Sequence, residues 1–312
     1  MNLLNLEYFL VAAEEMNFTR AAKRLYIAQQ SLSNHIARLE DSLGVELFDR
    51  TPPMTLTPAG LCLLRYAKQF QISLDDLKRE LQDIKDCKSS ELTLGITQGR
   101  GAIYLPILLP RFQAEYPNLK IHLLDASSAQ LEQALHEGKA DLIIGFAPKD
   151  PLQITAQKAW KEEYVILAPK TILKDYLPQR WGQLVQAPER VTLKDLEPCP
   201  FLSIQRDLYV GSIFQHCCAR VHMIPNVIVE SRNINIVLGL CMKGMGILVC
   251  PKVFLYPYLQ TQILQKGELL LFPLDYSDQI YVSYLTQKYM SYGTQKLIEL
   301  VQELGQELPN ML

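Results

Sequence analysis

NFTRAAKRLYIAQQSLSNHIAR, residues 17–38, has the pattern of two short helices joined by a tight turn. We place the helices at 19–25 and 29–39, because small or apolar residues recur on one face of each at helical spacing. The opposite face of the second helix is polar and could reach base edges in a DNA major groove. Its candidate base-contacting and backbone-contacting residues are Gln29, Gln30, Ser31, Ser33, Asn34 and Arg38. The stretch therefore predicts a helix-turn-helix motif.

The charge of this stretch favours contact with DNA. Residues 16–38 contain Arg20, Lys23, Arg24 and Arg38 and no acidic residue. Such a local positive excess attracts a polyanion. The alternative is a helical hairpin whose polar face is only solvated, but solvated faces usually carry Glu and Lys, whereas Ser and Asn disfavour helix.

A winged domain is predicted around the motif. Residues 3–15 have the rhythm of an amphipathic helix, and Gly44 is placed to end the second helix of the motif as a left-handed cap. A strand from residue 45 leads to a wing, 50–57, whose two prolines stiffen its tip. Four further candidates for DNA contact flank the second helix: Thr19, Arg20, Arg50 and Pro53.

The first 60 or so residues resemble the N-terminal domain of the LysR-type transcriptional regulators. The residues that carry the resemblance are Leu6, Tyr8, Phe9, Phe18, Thr19, Ala21, Ala22, Leu25, Gln29, Ser31, Leu32, Ser33, Ile36, Leu39, Glu40, Leu43, Gly44, Leu47, Phe48, Arg50, Leu56, Thr57 and Gly60. The resemblance implies double-stranded operator DNA as a partner. Ala28 and Gln30 stand where the family usually has Ser and Pro, and Asn34 where Arg is common, so the family's base preference does not carry over.

A long helix is predicted from Pro58 to about residue 86. Its apolar residues alternate in steps of four and three, which is a heptad seam that needs a partner helix: Leu63, Ala67, Phe70, Leu74, Leu77 and Leu81. The resemblance implies antiparallel pairing with a second subunit, in a homodimer or homotetramer. The alternative is packing of this helix onto the C-terminal half of the same chain.

Strands alternate with helices after residue 90, which signals an α/β fold with a parallel sheet. The resemblance extends here and implies a two-lobed effector domain built like the periplasmic solute-binding proteins. We divide the chain into a winged helix-turn-helix domain (1–58), a linker helix (59–88) and an effector-binding domain (89–312). Lobe I is expected at about 91–161 and 267–304, and lobe II at about 162–266. Residues 170–190 are longer than the family's usual connection and receive no functional interpretation.

A small effector is expected in the cleft between the lobes. Parallel sheets bind ligands at the carboxyl ends of their strands, beside helix N-termini that favour an anion. The candidate residues in these loops are Thr97, Gln98, Arg100, Ser127, Ser128, Ser203, Gln205, Arg206 and Asn233. Arg100 and Arg206 favour a carboxylate or other anion, because guanidinium groups match such ligands. Alternatively, each serine is an ordinary helix cap and each arginine a surface residue.

Composition and charge limit the other possibilities. The chain has 312 residues, 48% hydrophobic and 21% charged, with a formal net charge of -2, so DNA contact is expected in a confined patch. No apolar run approaches the ~18 residues that cross a bilayer, and the start lacks signal-peptide features, so we expect a cytoplasmic protein without membrane contact. RNA polymerase is a further candidate partner.

The seven cysteines form no CxxC pair, and we expect reduced thiols. His216, Cys217, Cys218 and His222 fit no common zinc spacing, so no metal or cofactor is predicted. A redox-sensing regulator using Cys199, Cys217 and Cys218 is an alternative.

The sequence opposes two other classes of protein. A transport-type solute-binding protein is the rival, but the helix-turn-helix opposes it. An enzyme is less supported, because no nucleophile, base and orienting residue occur at a known spacing. The glycine pairs at 99/101 and 244/246 lack the third glycine of a dinucleotide-binding loop.

Overall fold

The structure, a computed structural model, describes residues 3–85, 91–258 and 268–307. The chain divides into two compact units, Met1–Lys85 and Asp86–Leu312. The helix that we expected as a separate linker at 59–88 therefore belongs with the first unit as far as residue 85. Among the described helices, none is both long and apolar enough to cross a membrane.

The first unit is a winged helix-turn-helix. Its elements are α1 (Leu3–Glu15), α2 (Phe18–Arg24), α3 (Gln29–Leu43), β1 (Phe48–Asp49), β2 (Thr55–Leu56) and α4 (Pro58–Lys85). β1 and β2 pair antiparallel to form the wing. Phe9, Leu32, Ile36 and Phe48 are almost fully buried in the core between these elements. Burial of one face of α3 leaves its other face available for binding.

The ends of the first unit's helices follow from local chemistry. The Asn17 side chain accepts a hydrogen bond from the Arg20 backbone N–H and so caps α2. α3 continues to Leu43, beyond the predicted end, and stops at Gly44 because that residue has a φ of 70°. Glycine adopts this left-handed conformation without the steric cost of a Cβ.

The second unit is an α/β fold. Its strands are β3 (Glu91–Ile96), β4 (Lys120–Asp125), β5 (Leu142–Gly145), β6 (Ile154–Pro169), β7 (Pro200–Ile204), β8 (Asn226–Ser231), β9 (Ile247–Pro251) and β10 (Leu269–Leu285). Its α-helices are α5 (Gln98–Glu115), α6 (Ser128–His136), α7 (Lys170–Tyr176), α8 (Trp181–Gln186), α9 (Tyr209–Arg220), α10 (Ile234–Met242) and α11 (Tyr292–Glu307). Short 3-10 helices lie at Pro178–Arg180, Pro188–Arg190, Leu193–Leu196 and Lys252–Tyr258.

One described sheet of eight strands runs through both lobes in the order β4-β3-β5-β10-β6-β9-β7-β8. The outer groups, β4-β3-β5 and β9-β7-β8, are parallel as expected. The long strands β6 and β10 are antiparallel to each other and to their outer neighbours, which departs from the predicted parallel sheet. They connect the two lobes.

The return to lobe I lies later than expected. Leu269–Pro273 of β10 still pair with the part of β6 that adjoins lobe II. The register shifts between Pro273 and Ser277, and only Tyr281–Ser283 pair with β5 of lobe I. The crossing therefore occurs within β10. The predicted crossing point, Gly267, lies outside the described residues.

Residues 170–190 have a structural role. Ile172, Leu173, Leu177 and Leu184 are buried and belong to the second core cluster of this unit, with Phe201 and other residues of lobe II. This segment forms α7 and α8, whose apolar side chains pack in that core.

Candidate DNA-binding surface and effector cleft

The polar face of α3 is directed away from the core. Ala28 precedes the helix and offers no side-chain cap, as expected from the absence of a hydroxyl there. The predicted contact residues of α2 and α3 that are exposed are Thr19, Arg20, Gln29, Gln30, Asn34 and Arg38. Ser31 and Ser33 are half-buried. Amide donors and acceptors therefore dominate the accessible surface of this helix.

The positive charge of the motif is smaller than the sequence count implied. Arg24 forms an ion pair with Glu14 at 2.7 Å, and Arg20 forms one with Glu15 at 3.5 Å. Both glutamates precede residues 16–38. Lys23 and Arg38 form no ion pair among the described residues. Arg38 is thus the arginine of α3 that is available to a DNA phosphate.

The wing is fixed by Glu40. Its Oε1 accepts a hydrogen bond from the Leu47 N–H at 2.9 Å, and its Oε2 lies 2.8 Å from Nη2 of Arg50. Arg50 remains half-exposed, so it could share its charge between Glu40 and a phosphate. Pro53 is exposed. Hydrogen bonds from Thr51 lower the pKa of Asp49, which holds the turn of the wing.

The residues predicted to form the seam of α4 fall into two groups, one in the core and one exposed. Ala67 is buried in the core of the first unit and Leu63 packs against that core, so these two are corrected to core residues. Leu74 is half-buried. Phe70, Leu77 and Leu81 remain 50%, 51% and 57% exposed. The second half of the seam is what could meet another helix.

Most of the predicted effector residues lie at strand ends and helix starts. Thr97 precedes α5 and Ser127 precedes α6, where the N–H and hydroxyl of Ser127 both donate to Oε1 of Gln130. Asn233 caps α10 by accepting a hydrogen bond from the Asn235 N–H. Ser127 and Asn233 therefore already serve as ordinary helix caps.

The other predicted effector residues differ in accessibility. The hydroxyl of Ser203 is buried and donates to the Ile204 carbonyl. Gln98 and Arg206 are exposed, and four of the predicted residues are half-buried: Thr97, Ser127, Ser128 and Gln205. Arg206 forms no ion pair among the described residues, whereas its neighbour Asp207 pairs with Arg232.

The start of α5 faces lobe II. A methyl group added at Gly99 would lie 2.9 Å from a ring carbon of Phe254 and 3.2 Å from a methyl carbon of Ile234. The lobes are therefore in close contact beside Gln98.

The structure corrects the prediction that Arg100 binds the effector. Its side chain is only 3% exposed, and Nε and Nη2 donate to the Glu162 carboxylate at 3.0 and 2.7 Å. Burial tends to lower the pKa of Arg100, but the charge and hydrogen bonds of Glu162 outweigh burial and raise it. Arg100 therefore stays charged but is neutralised by Glu162. It is not the free anion-binding group that the sequence suggested.

A buried polar network surrounds this ion pair. The Tyr104 hydroxyl donates to Glu162 Oε1 at 2.8 Å and accepts from Trp160 Nε1 at 3.0 Å. Burial, followed by the charge of Glu162, raises the pKa of Tyr104. The Phe146 ring lies 4.2 Å from the Arg100 guanidinium carbon. Lobe I is thereby attached to the connecting strand β6.

A second group of side chains joins one lobe to the other. Phe146, after β5, stacks on Tyr209, the first residue of α9, with ring centroids 3.6 Å apart. The Tyr209 hydroxyl donates to Oδ1 of Asp278 on β10 at 3.1 Å. The stack therefore joins the two lobes directly.

Sequence reasoning missed these interlobe residues. The signal was a period of two along each strand. On β6 every second residue is buried, namely Trp160, Glu162 and Tyr164, and on β10 the same holds for Asp278 and Ile280. A charged residue on the buried face of a strand needs a partner or a function.

The cysteines that were candidates for redox sensing are unsuited to it. Cys199, Cys217 and Cys218 are buried. Burial raises the pKa of Cys199 to about 11 and that of Cys218 to about 12, and it also raises the pKa of Cys217. Reactive thiols are accessible and have lowered pKa values. In the described residues, no group of His, Cys, Asp and Glu could hold a metal ion.

Comparisons with known proteins cover both units. The model of the bacterial regulatory helix-turn-helix protein, lysR family, matches residues 3–61, and that of the LysR substrate binding domain matches residues 86–306. YcgK, an uncharacterized HTH-type transcriptional regulator of Bacillus subtilis, is 29% identical over 267 residues, covering 81% of each protein. The hydrogen peroxide-inducible genes activator of Pectobacterium carotovorum is 35% identical over 221 residues, covering 69% of this chain and 70% of that protein.

Solved structures share the fold. A full-length OxyR variant from Pseudomonas aeruginosa aligns with a TM-score of 0.66 at 20% identity, covering 97% of this chain and 94% of that one. CbnR bound to its target DNA aligns with a TM-score of 0.61 at 18% identity, covering 97% and 99%. The two family models together span both units, which opposes a transport-type solute-binding protein. The chain belongs to the LysR family of DNA-binding transcriptional regulators with an effector-binding domain.

Proposed function

We propose that this regulator reads its operator through α3, acts as a homo-oligomer held by α4, and responds to a small molecule bound between the lobes of its second unit. The observation that carries the proposal is the exposed polar face of α3, opposite the fully buried Leu32, Ile36 and Leu39. Because its target is DNA, we place the protein in the cytoplasm. Contact with RNA polymerase stays a prediction.

Base reading is assigned to Gln29, Gln30, Ser33 and Asn34. Their side chains are short and carry amide or hydroxyl groups, which pair with base edges. Arg38 and Arg50 are assigned to the DNA backbone, since phosphate contacts position a protein without specifying sequence.

Oligomerisation is assigned to the second half of α4. Tyr66 is 64% exposed and joins Phe70, Leu77 and Leu81 at intervals of four, seven and four residues. This spacing places all four side chains on one face of the helix. A contiguous apolar stripe of this kind marks an interaction surface. A second copy of α4 fits it, because the stripe has the heptad spacing of helices that pair.

The ligand site is assigned to the region between the lobes, and Gln98, Ser128, Gln205 and Arg206 are its accessible candidate residues. Thr97 and Ser203 lie at the carboxyl ends of β3 and β7, where α/β sheets bind ligands. Peroxide sensing, by contrast, is not proposed. The likeness to a hydrogen peroxide-inducible activator covers 69% of this chain, but the candidate thiols are buried and burial raises their pKa values.

The test of DNA reading is a double substitution, Gln30→Ala with Asn34→Ala, in the full-length protein. Operator fragments are first selected from a random DNA pool, and affinities for the best site and its single-base variants are measured by fluorescence anisotropy. We expect discrimination to fall by about 1–3 kcal/mol per lost bidentate contact. Glu7→Ala on α1 is the control. Unchanged base preference in the double variant would refute the assignment.

A further inference from the structure

Tyr26 lies in the turn of the helix-turn-helix with almost its whole side chain in water. It is the most exposed of the large hydrophobic side chains that the structure describes, at 96%. Its neighbours Leu25 and Ile27 both pack against the core of the first unit, so the chain directs Tyr26 outward. Folding buries almost none of its ring, and burial of the ring is what normally makes an aromatic residue stabilising. The fold therefore gives no reason for a tyrosine at this position.

The backbone of Tyr26 also favours a different residue. Its φ is 56°, in the left-handed region, where a bulky L-residue is rare and strained. Hydrogen bonds hold the chain in this turn: the Tyr26 N–H donates to the Lys23 carbonyl at 3.2 Å, and the Ile27 N–H donates to the Ala22 carbonyl at 3.0 Å. Glycine is common in such turns, because it adopts this conformation without strain. A strained residue without a packing role points to function.

The position of Tyr26 in the chain brings it near the DNA backbone. Tyr26 and Gln29 are separated by three Cα–Cα steps, so their Cα atoms are at most about 11 Å apart. The N-terminal residues of a recognition helix meet base edges, and the major groove is about 12 Å wide. A side chain at this distance from Gln29 therefore reaches a strand that borders the groove. Within residues 25–28, only Tyr26 carries a side-chain hydrogen-bond donor.

We propose that the Tyr26 hydroxyl donates a hydrogen bond to a phosphate of the operator and that its ring packs on the adjoining deoxyribose. The inference rests on the proposed function, because it adds a backbone contact to the DNA surface assigned to α3. Tyrosine is among the residues that contact phosphates, and such contacts position a protein without reading sequence. Lys23, beside this turn, is exposed, so a positive charge lies close to the turn and attracts the same strand.

The first experiment compares Tyr26→Phe, which removes only the hydroxyl, with the wild type as full-length proteins. The probe is the operator fragment selected from a random DNA pool, and affinity is measured by fluorescence anisotropy at several salt concentrations. We expect Tyr26→Phe to weaken binding about tenfold, because hydrogen bonds to charged groups are strong. Tyrosine is uncharged, so the slope of log affinity against log salt concentration should stay the same. Preference among single-base variants of the operator should also stay the same.

The matched control is Tyr176→Phe. Tyr176 lies on α7 of the second unit and is 48% exposed, so this variant removes an exposed phenol hydroxyl far from α3 in the chain. We expect it to bind the operator as the wild type does.

A modified operator identifies the phosphate. Methylphosphonate replaces one phosphate at a time along both strands of the operator, and affinity is measured for the wild type and for Tyr26→Phe. At the phosphate that Tyr26 contacts, the wild type should lose more affinity than Tyr26→Phe, since the variant already lacks the contact. Such a difference at one position is the coupling expected of two groups that touch. Equal losses at every position would overturn the proposal.

A second variant, Tyr26→Asn, separates DNA binding from folding. Asn accepts the left-handed conformation more readily than Tyr, so the melting temperature should be unchanged or higher while operator binding falls at least as far as in Tyr26→Phe. The proposal is overturned if either variant binds the operator as tightly as the wild type, if the salt slope or base preference changes in Tyr26→Phe, or if Tyr26→Asn lowers the melting temperature. A wild type that binds no operator would refute the proposed function, whereas wild-type binding without loss in Tyr26→Phe overturns only this contact.

Discussion

Replacement of Arg100 by Met should strongly destabilise the second unit. Arg100 and Glu162 are 3% and 2% exposed as side chains and share three hydrogen bonds. Removing one partner of a buried ion pair leaves an uncompensated charge and costs about 3–5 kcal/mol. In a domain of this size each kcal/mol lowers the melting temperature by about 2–4 °C, so we expect a fall of roughly 6–20 °C. Differential scanning calorimetry of the full-length protein measures it.

The double variant Arg100→Met with Glu162→Met tests the reason for this loss. It removes both charges, so it should be more stable than the sum of the two single changes predicts. Arg232→Met is the matched control, because Arg232 and Asp207 form an exposed ion pair, at 57% and 61% exposure, and exposed pairs contribute about 0–1 kcal/mol. The reasoning fails if Arg100→Met costs no more than Arg232→Met, or if the double variant shows no coupling.

Three further outcomes are expected. Arg38→Ala should weaken binding to all DNA sequences alike and should reduce the slope of log affinity against log salt concentration by about one unit per subunit. Filter binding at several salt concentrations measures both effects. A loss of affinity that depends on the DNA sequence would contradict a phosphate contact. Leu77→Glu with Leu81→Glu should give monomers in sedimentation, whereas Gln71→Glu, at an exposed position on a different face of the same helix, should not. A monomeric wild type at micromolar concentration would contradict the α4 interface. Alkylation of the native protein at pH 8, mapped by mass spectrometry, should modify Cys62 and spare the buried cysteines, because burial raises the pKa of their thiols and keeps them protonated. Rapid labelling of those thiols in the native protein would contradict their burial.

The first unit was predictable because its signals are local. Apolar residues of α3 recur within one helix, Asn17 and Gly44 bound α2 and α3, and the wing follows within a few residues. The alternation of strands and helices likewise predicted most of the second unit. The antiparallel pairing of β6 with β10 was not predictable, since the whole of residues 170–268 lies between these two strands.

The site was predictable only where a residue's role depends on its own helix or loop. Exposure of Gln30, Asn34 and Arg38 followed from helical periodicity. The role of Arg100 did not, because its partner is 62 residues away along the chain. An arginine at a helix start looks the same in sequence whether it faces a ligand or a buried glutamate.

The interlobe contacts also determine how a ligand could act. A ligand shifts a conformational equilibrium only by its difference in affinity for the two states. The Arg100–Glu162 pair attaches lobe I to β6 whether or not the lobes separate, so it cannot provide that difference. The Phe146–Tyr209 stack does separate, because one ring belongs to each lobe. A ligand that replaces this stack must therefore change the distance between the lobes, and β6 and β10 are the described strands that have to bend. The two register shifts of β10, between Pro273 and Ser277 and between Ile280 and Tyr281, flank Asp278, which accepts the hydrogen bond of Tyr209. The least regular part of β10 therefore adjoins the contact that has to open.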